Sequence, residues 1–312
     1  MSVCPSRPAP TSLPASALAA DAGAPPAAPG RQLMPGAFVL LWSTGYIGGA
    51  IALGGIEPLT MSVLRFAIAT ALMAAIAWGT GAIRPVRRGL IVHAAITGML
   101  MHGLQFGGLY SGMAAGVSAG AAALIIGLMP VVVTVLAGPM LNEWPRPRHL
   151  AGLGLGIAGV ALVVGPRLAG GVGGPAVGYG LVVLGLLGLS LGTVWQKRFC
   201  AGLDLRLAGT VQTAAGGLVL VPAALLLETG HVLWSGEVAA AVLWLAVVNS
   251  IGAIALLGLL MRQGTAARAA GLFFLVPSAT AVMAWIVLGQ PITPLMLAGM
   301  ALSAAGVRLG RR

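Results

Sequence analysis

The chain is written in long apolar stretches separated by brief polar interruptions. Runs such as LTMSVLRFAIATALMAAIAWG, residues 59–79, are apolar all round, with neither strand alternation nor a polar helical face. About 20 such residues cross the hydrocarbon core of a bilayer as a helix. Window reading places ten spans, at 34–53, 59–79, 90–113, 118–141, 149–166, 175–196, 207–227, 238–260, 265–288 and 293–310. The connections are short and carry Pro, Gly or charge, as in GGIEP, RPVRRG and NEWPRPRH. A barrel would alternate polarity in pieces of about ten residues. The expected class is therefore an all-α integral membrane protein with ten transmembrane helices.

Composition agrees. With 58% hydrophobic and only 7% charged residues, a soluble domain of 312 residues would lack polar surface. The net charge of +11 raises nucleic acid as a partner, and the placement of the charges answers it. With a cytoplasmic N-terminus, Arg31, Arg84, Arg87, Arg88, Arg146, Arg148, Lys197, Arg198, Arg206, Arg262, Arg268, Arg308, Arg311 and Arg312 all fall on the cytoplasmic side. Only Arg167 falls outside. Lys and Arg favour cytoplasmic loops. The bias thus predicts cytoplasmic N- and C-termini and an even number of crossings. The lipid bilayer is the partner of this basicity, and no nucleic acid is expected. Residues 1–32 read as a disordered tail: they are rich in Pro, Ala and Ser and lack the apolar core of a cleaved signal peptide. A single Lys among 17 basic residues, with Ala and Gly abundant, points to a GC-rich bacterial genome and so to the inner membrane.

The chain also resembles itself. Shifted by 147 residues without gaps, segment 118–160 lies over 265–307 with 16 identities, including Pro130 over Pro277 and Pro147 over Pro294. Each half then holds five spans, first repeat 33–167 and second repeat 175–312. An odd number of spans inverts the second half relative to the first. Inverted repeats mark many secondary transporters, whose sites lie near the midplane between the repeats.

The same shift selects candidate residues. Arg65 falls on Gln212 and His102 on Asn249. Polar side chains facing lipid are costly, so such paired positions are expected to face the interior. Arg65 lies about six residues from a span end, roughly 9 Å deep at 1.5 Å per residue. Snorkelling to the headgroups, hydrogen bonding to protein, and anchoring a substrate carboxylate or phosphate are all open to it. His102 and Gln105 share a helix face, as a cavity lining or an interhelical contact. Trp42, Tyr46 and Trp195 are candidate aromatic walls, with the interfacial belt as the alternative. Pro130 and Pro277 break helices at matching places and are candidate gating points.

WSTGYIGGAIAL (42–53), EPLTMSVLRF (57–66) and the duplicated MPVVVTVLAGPMLNEWP and VPSATAVMAWIVLGQPITP resemble the EamA-type members of the drug/metabolite transporter superfamily. The resemblance covers about 36–310. It implies two inverted five-helix repeats and transport of small organic solutes, often outward. The chain departs from the family pattern at Asn142-Glu143, at Gly289-Gln290 and at the extra Pro139.

The expected function is a secondary transporter, an exporter of amino-acid-like or drug-like metabolites, working by alternating access as a monomer or homodimer. A passive channel or membrane sensor is the alternative. An intramembrane enzyme is disfavoured: Ser111, nine residues from His102 on one helix, makes poor dyad geometry. No Walker-type sequence or metal-ligand spacing appears, so no cofactor or metal is expected.

Overall fold

The computed structural model describes residues 29–142, 144, 146–169, 173–253, 256, 273 and 275–311. Among these residues the secondary structure is helical, apart from one isolated bridge between Ile56 and Val232. Helices α1 (Pro29–Ala52), α2 (Pro58–Gly79), α3 (Arg88–Gly98) and α4 (Gln105–Ala114) open the chain, with α3 and α4 joined through a π-helical segment, Met99–Leu104. Then come α5 (Ala119–Ile126), α6 (Met129–Leu141), α7 (Pro147–Ala169), α8 (Gly173–Phe199), α9 (Leu205–Leu227) and α10 (Gly236–Trp244). A second π-helical segment, Leu245–Ala253, follows α10; α11 (Leu275–Leu288) and α12 (Pro294–Arg311) close the chain.

Among the described residues, seven stretches are long and apolar enough to cross a membrane: Leu33–Ala52, Pro58–Gly79, Arg88–Ala114, Ala119–Leu141, Ala176–Phe199, Leu205–Leu227 and Gly236–Ala253. Leu150–Val163, Leu275–Leu288 and Pro294–Gly306 are shorter apolar helices. The first part of the predicted span 265–288, residues 265–272 and 274, lies outside the described residues, as does most of the predicted tail. Exposed Leu72, Ile76, Leu225, Leu226, Leu227 and Ile286 give the outer surface the apolar character that lipid requires.

The elements recur along the chain at the 147-residue offset. The π-helical segment at 99–104 has its counterpart within 245–253. One widened turn in each half re-aims the side chains that follow, a feature that clusters at functional sites.

Two helix pairs form the main seams. Along α2 and α9, Phe66 meets Gly217, Thr70 hydrogen-bonds Thr213 at 3.0 Å, and Met73 meets Gly209. As the number rises on one helix it falls on the other, so the two run antiparallel. Along α7 and α12, a Cβ on Gly159 would stand 2.6 Å from the Gly299 carbonyl, and one on Gly306 only 2.5 Å from the Gly152 carbonyl. These two helices are antiparallel as well. Adding 147 to one member of a contact and subtracting it from the other turns Gly159–Gly299 into Gly152–Gly306. Glycine on both helices lets the backbones approach closely enough for dispersion to hold them in lipid.

The prolines act differently from a kink in a continuous helix. The fourth span is cut at Gly127 and Leu128, and Pro130 sits in the first turn of α6, where its missing N–H is an orphan anyway. Pro277 takes the corresponding place in α11. A Cβ on Gly127 would meet the Pro277 ring at 2.9 Å, so the two breaks face each other.

Candidate functional site

Arg65 turns inward from α2 and is completely buried. That excludes snorkelling. Its Nη1 donates to the Tyr110 hydroxyl at 2.9 Å, and its Nε and Nη2 donate to the Ser250 hydroxyl at 3.2 and 2.8 Å. A longer 3.5 Å contact runs from Nη2 to Asn249 Oδ1. Aromatic faces complete the shell: the guanidinium carbon lies 4.2 Å from the Phe106 ring centroid and 5.0 Å from that of Phe66. Cation–π attraction strengthens when such a contact is desolvated.

The supporting groups are themselves held. Tyr110 donates to the Gly45 carbonyl at 3.1 Å, Asn249 Nδ2 to the Leu41 carbonyl at 2.9 Å, and Ser250 to the Leu245 carbonyl at 2.9 Å. Helix α1 comes this close because it presents glycine. A Cβ at Gly49 would lie 2.2 Å from the Tyr110 ring, and one at Gly45 would lie 2.7 Å from Asn249 Nδ2. The cluster thus joins α1, α2 and α4 to the second π-helical segment. All of Arg65's hydrogen-bond partners among the described residues are neutral. A buried guanidinium normally sits beside a carboxylate; none pairs with Arg65 among the described residues.

Of the other predicted residues, His102 lies against the aromatic shell of this centre, and the rest pack on the same or neighbouring helices. His102 is buried one turn before Phe106, 5.3 Å from the Phe66 ring, and its Nδ1 has no partner among the described residues. Gln105 is buried beside it. Gln212 is buried with Nε2 unpartnered, its backbone pressed on Gly98. Tyr46 is buried one turn from Trp42 on α1. Trp42 itself packs edge-on against Phe273 at 4.9 Å.

Trp195 lies elsewhere. It contacts His93 and Phe199 near the end of α8, with centroids 5.8 and 4.6 Å away. Pro130 and Pro277 stand at the facing helix breaks. A cavity of about 500 Å³, lined by Met113, Val117, Val163, Ala281, Gln290 and Met296, opens near the α4–α5 and α11–α12 turns without including Arg65.

Tyr110 and Ser250 lie on the two most polar matching spans, third and eighth, but are not among the candidates that the sequence selects for the site. The signal was partly available: His102, Phe106 and Tyr110 recur every four residues on one helix face, the face Arg65 meets. Tyr110→Phe keeps the ring but removes the hydroxyl, leaving a buried Nη1 and the Gly45 carbonyl short of a partner. The expected cost is about 1–3 kcal/mol, read as a lower melting temperature in detergent. An unchanged melting temperature would contradict the hydrogen-bonded role of this hydroxyl.

The charged groups of the connections are arranged conventionally. Backbone N–H donation from Thr229, first among several hydrogen bonds, holds the Glu57 carboxyl below the usual glutamate range. The Arg206 side chain, with its backbone N–H, does the same for Asp204.

The EamA-like transporter family matches the chain twice, over residues 36–165 and 176–310. The chain belongs to this family. Among relatives of this EamA chain is the "Uncharacterized inner membrane transporter YedA" of Escherichia coli K12, 25% identical over 63% of the chain. The chain spans 64% of the length of that relative. The "Uncharacterized transporter YvbV" of Bacillus subtilis 168 is 26% identical over 87% of the chain and 88% of its own length. The "Probable terminal-alkyne amino-acid exporter" of Streptantibioticus cattleyicolor is 26% identical over 88% of the chain and 91% of its length. A crystal structure of a protein 22% identical superposes with a TM-score of 0.64, covering 89% of this chain and 94% of that one. Apolar helices and inner-membrane transporter relatives together make the EamA chain a multi-pass membrane protein.

Proposed function

We propose that the protein is a secondary transporter of small organic metabolites, exporting amino-acid-like or drug-like solutes from the cytoplasm by alternating access. In this reading ten crossings form two inverted five-helix repeats in a bacterial inner membrane, with both termini cytoplasmic, and the unit is a monomer or homodimer. The double family match, the recurrence of elements at 147 residues and the antiparallel α2–α9 and α7–α12 seams support the repeats. The S. cattleyicolor relative, named as an amino-acid exporter, supports the solute class.

The observation that carries the proposal is Arg65. A permanent charge is costly inside a membrane and marks substrate pathways. This one is buried among groups from both halves of the chain and surrounded by neutral acceptors. A solute carboxylate supplies the missing counter-charge, since a guanidinium fork suits bidentate oxyanion pairing. Tyr110, Ser250 and Asn249 hold the fork in place until the solute arrives. Trp42 and Tyr46 offer apolar surface nearby, and Pro130 and Pro277 mark the crossing of the broken helices.

The test is counterflow in proteoliposomes carrying the full-length chain. A panel of labelled amino acids and aromatic carboxylates is offered outside vesicles loaded with the same unlabelled solute. Transient accumulation of label above equilibrium is expected for at least one carboxylate. Equal, gradient-following leakage of every solute would replace the carrier with a channel.

A further inference from the structure

At one end of the α2–α9 seam two carboxylates cross between the halves of the chain. Glu228, just past the last turn of α9, accepts from the backbone N–H groups of Leu59 and Thr60 and from the Thr60 hydroxyl, each at 2.7 Å. Glu57, just before α2, accepts in return from the Thr229 N–H at 3.2 Å, the Thr229 hydroxyl at 3.1 Å and the Gly230 N–H at 2.9 Å. Alongside, Ile56 and Val232 form the antiparallel bridge, and the Leu233 N–H donates to the Gly55 carbonyl at 2.7 Å. Glu228 meets the orphan N–H groups and positive pole of α2's first turn. Hydrogen bonds to ionised acceptors are about twice as strong as neutral ones.

The other end of the seam is built differently. At the 147-residue offset Glu57 corresponds to Asp204 and Glu228 to Gly81. Asp204 caps its own helix: it accepts from the Arg206 N–H at 2.9 Å and from the Arg206 guanidinium at 3.0 and 2.8 Å. A Cβ added to Gly81 or Gly202 would meet open space. A Cβ on Gly55, the counterpart of Gly202, would stand 2.5 Å from the Leu233 carbonyl. One end is laced across the halves by hydrogen bonds that have no counterpart among the described residues of the other.

We infer that the Glu57–Glu228 clasp is a releasable gate. It holds its end of the seam closed in the conformation seen here. It opens when the opposite end, residues 81–86 with 202–206, draws together. The inference rests on the inverted-repeat reading, under which the two halves exchange conformations. Contacts present at one end of a two-fold seam and missing at the other are what a half-cycle of that exchange leaves. Gly81 offers no carboxylate to match Glu228, so the empty protein favours the state with the clasp shut. Ligand or mutation moves the balance only through a difference between the two states, and the clasp's hydrogen bonds are such a difference.

The test uses the full chain in lipid nanodiscs, with Cys4→Ser and Cys200→Ala removing the native thiols. Single reporters are placed at Ile56→Cys, buried in this state, and at Ile83→Cys, 57% exposed at the opposite end. Adding Glu57→Gln and Glu228→Gln keeps side-chain shape and removes the charge. Maleimide labelling of the Ile56 reporter should then rise about 10-fold, a population shift of that size, and labelling of the Ile83 reporter should fall. No rise, or a rise at Ile56 with no fall at Ile83, overturns the gate. Circular dichroism and monodisperse chromatography establish that the variants are folded.

A second measurement keeps both glutamates. Residues opposite each other in an antiparallel pair stand about 4.5–5.5 Å apart at Cα, within the span of a disulfide. Ile56→Cys with Val232→Cys should therefore cross-link. The cross-link should stop counterflow, and reduction should restore it. Full transport with the disulfide quantitatively formed overturns the gate and leaves the transporter reading standing. Reciprocal labelling shifts without transport of any solute overturn the transporter reading and leave the gate.

Discussion

Arg65→Gln is expected to reduce carboxylate transport by at least about 100-fold at unchanged membrane abundance, the scale of losing a buried charged hydrogen-bond partner. Glutamine is the residue that stands at the matching place in the second half, Gln212, where the fold already accommodates it. Its amide falls about where Arg65 Nε donates to Ser250, so that contact can be kept. What disappears is the positive charge and the planar fork. Arg65→Lys restores the charge as a compact ammonium but not the fork, and should recover only part of the rate. Initial rates in proteoliposomes at matched protein density decide the matter. A glutamine variant that transports at the original rate would remove the carboxylate anchor. Loss of the protein from the membrane would make Arg65 a structural residue.

The second large effect concerns stability. Gly98→Ala should destabilise the protein by about 1–3 kcal/mol, the usual cost of overpacking. Its Cβ would stand 2.2 Å from the Gln212 carbonyl oxygen and 2.5 Å from the Gln212 Cα. Both are backbone atoms of α9, so no side-chain rotation relieves the clash. The helices must part, and with them the walls of the polar centre. Gly180→Ala is the control, because a Cβ there meets nothing within 4 Å. Alanine at Gly180 should be neutral or mildly stabilising through helix propensity. Melting in detergent should separate the two variants by several degrees. Equal melting temperatures would mean that α3 and α9 are not in close contact.

The all-helical, multi-pass class was legible in the sequence because membrane crossing is a strong constraint. Apolar length does not depend on packing details. The 147-residue shift paired Arg65 with Gln212 and His102 with Asn249, and all four are buried. The rest depended on geometry that no propensity carries. Ser250 reaches Arg65 through a π-helical segment, and a single widened turn changes which residues face inward. Trp195 shares the aromatic character of Trp42 but sits at a helix end with His93, and residue type alone does not give depth. Pro130 reads as a break within the span 118–141, and it falls in the first turn of a separate helix, α6. Nothing in the sequence joins Glu57 to Glu228, because the partners that make them a clasp lie 168 to 173 residues away in the chain.

The pairing of Arg65 with Gln212 leaves the two halves alike in shape but unlike in charge. Any exchange of conformations between them therefore relocates one fixed positive charge relative to the electric field across the bilayer. That field is worth about 2.3 kcal/mol per elementary charge for each 100 mV. In the proposed cycle an anion seated on Arg65 would cancel the charge, so the empty form would feel the voltage and the loaded one would not. Polarisation of the membrane would then act on the return stroke alone, giving the cycle a preferred direction without any coupled ion.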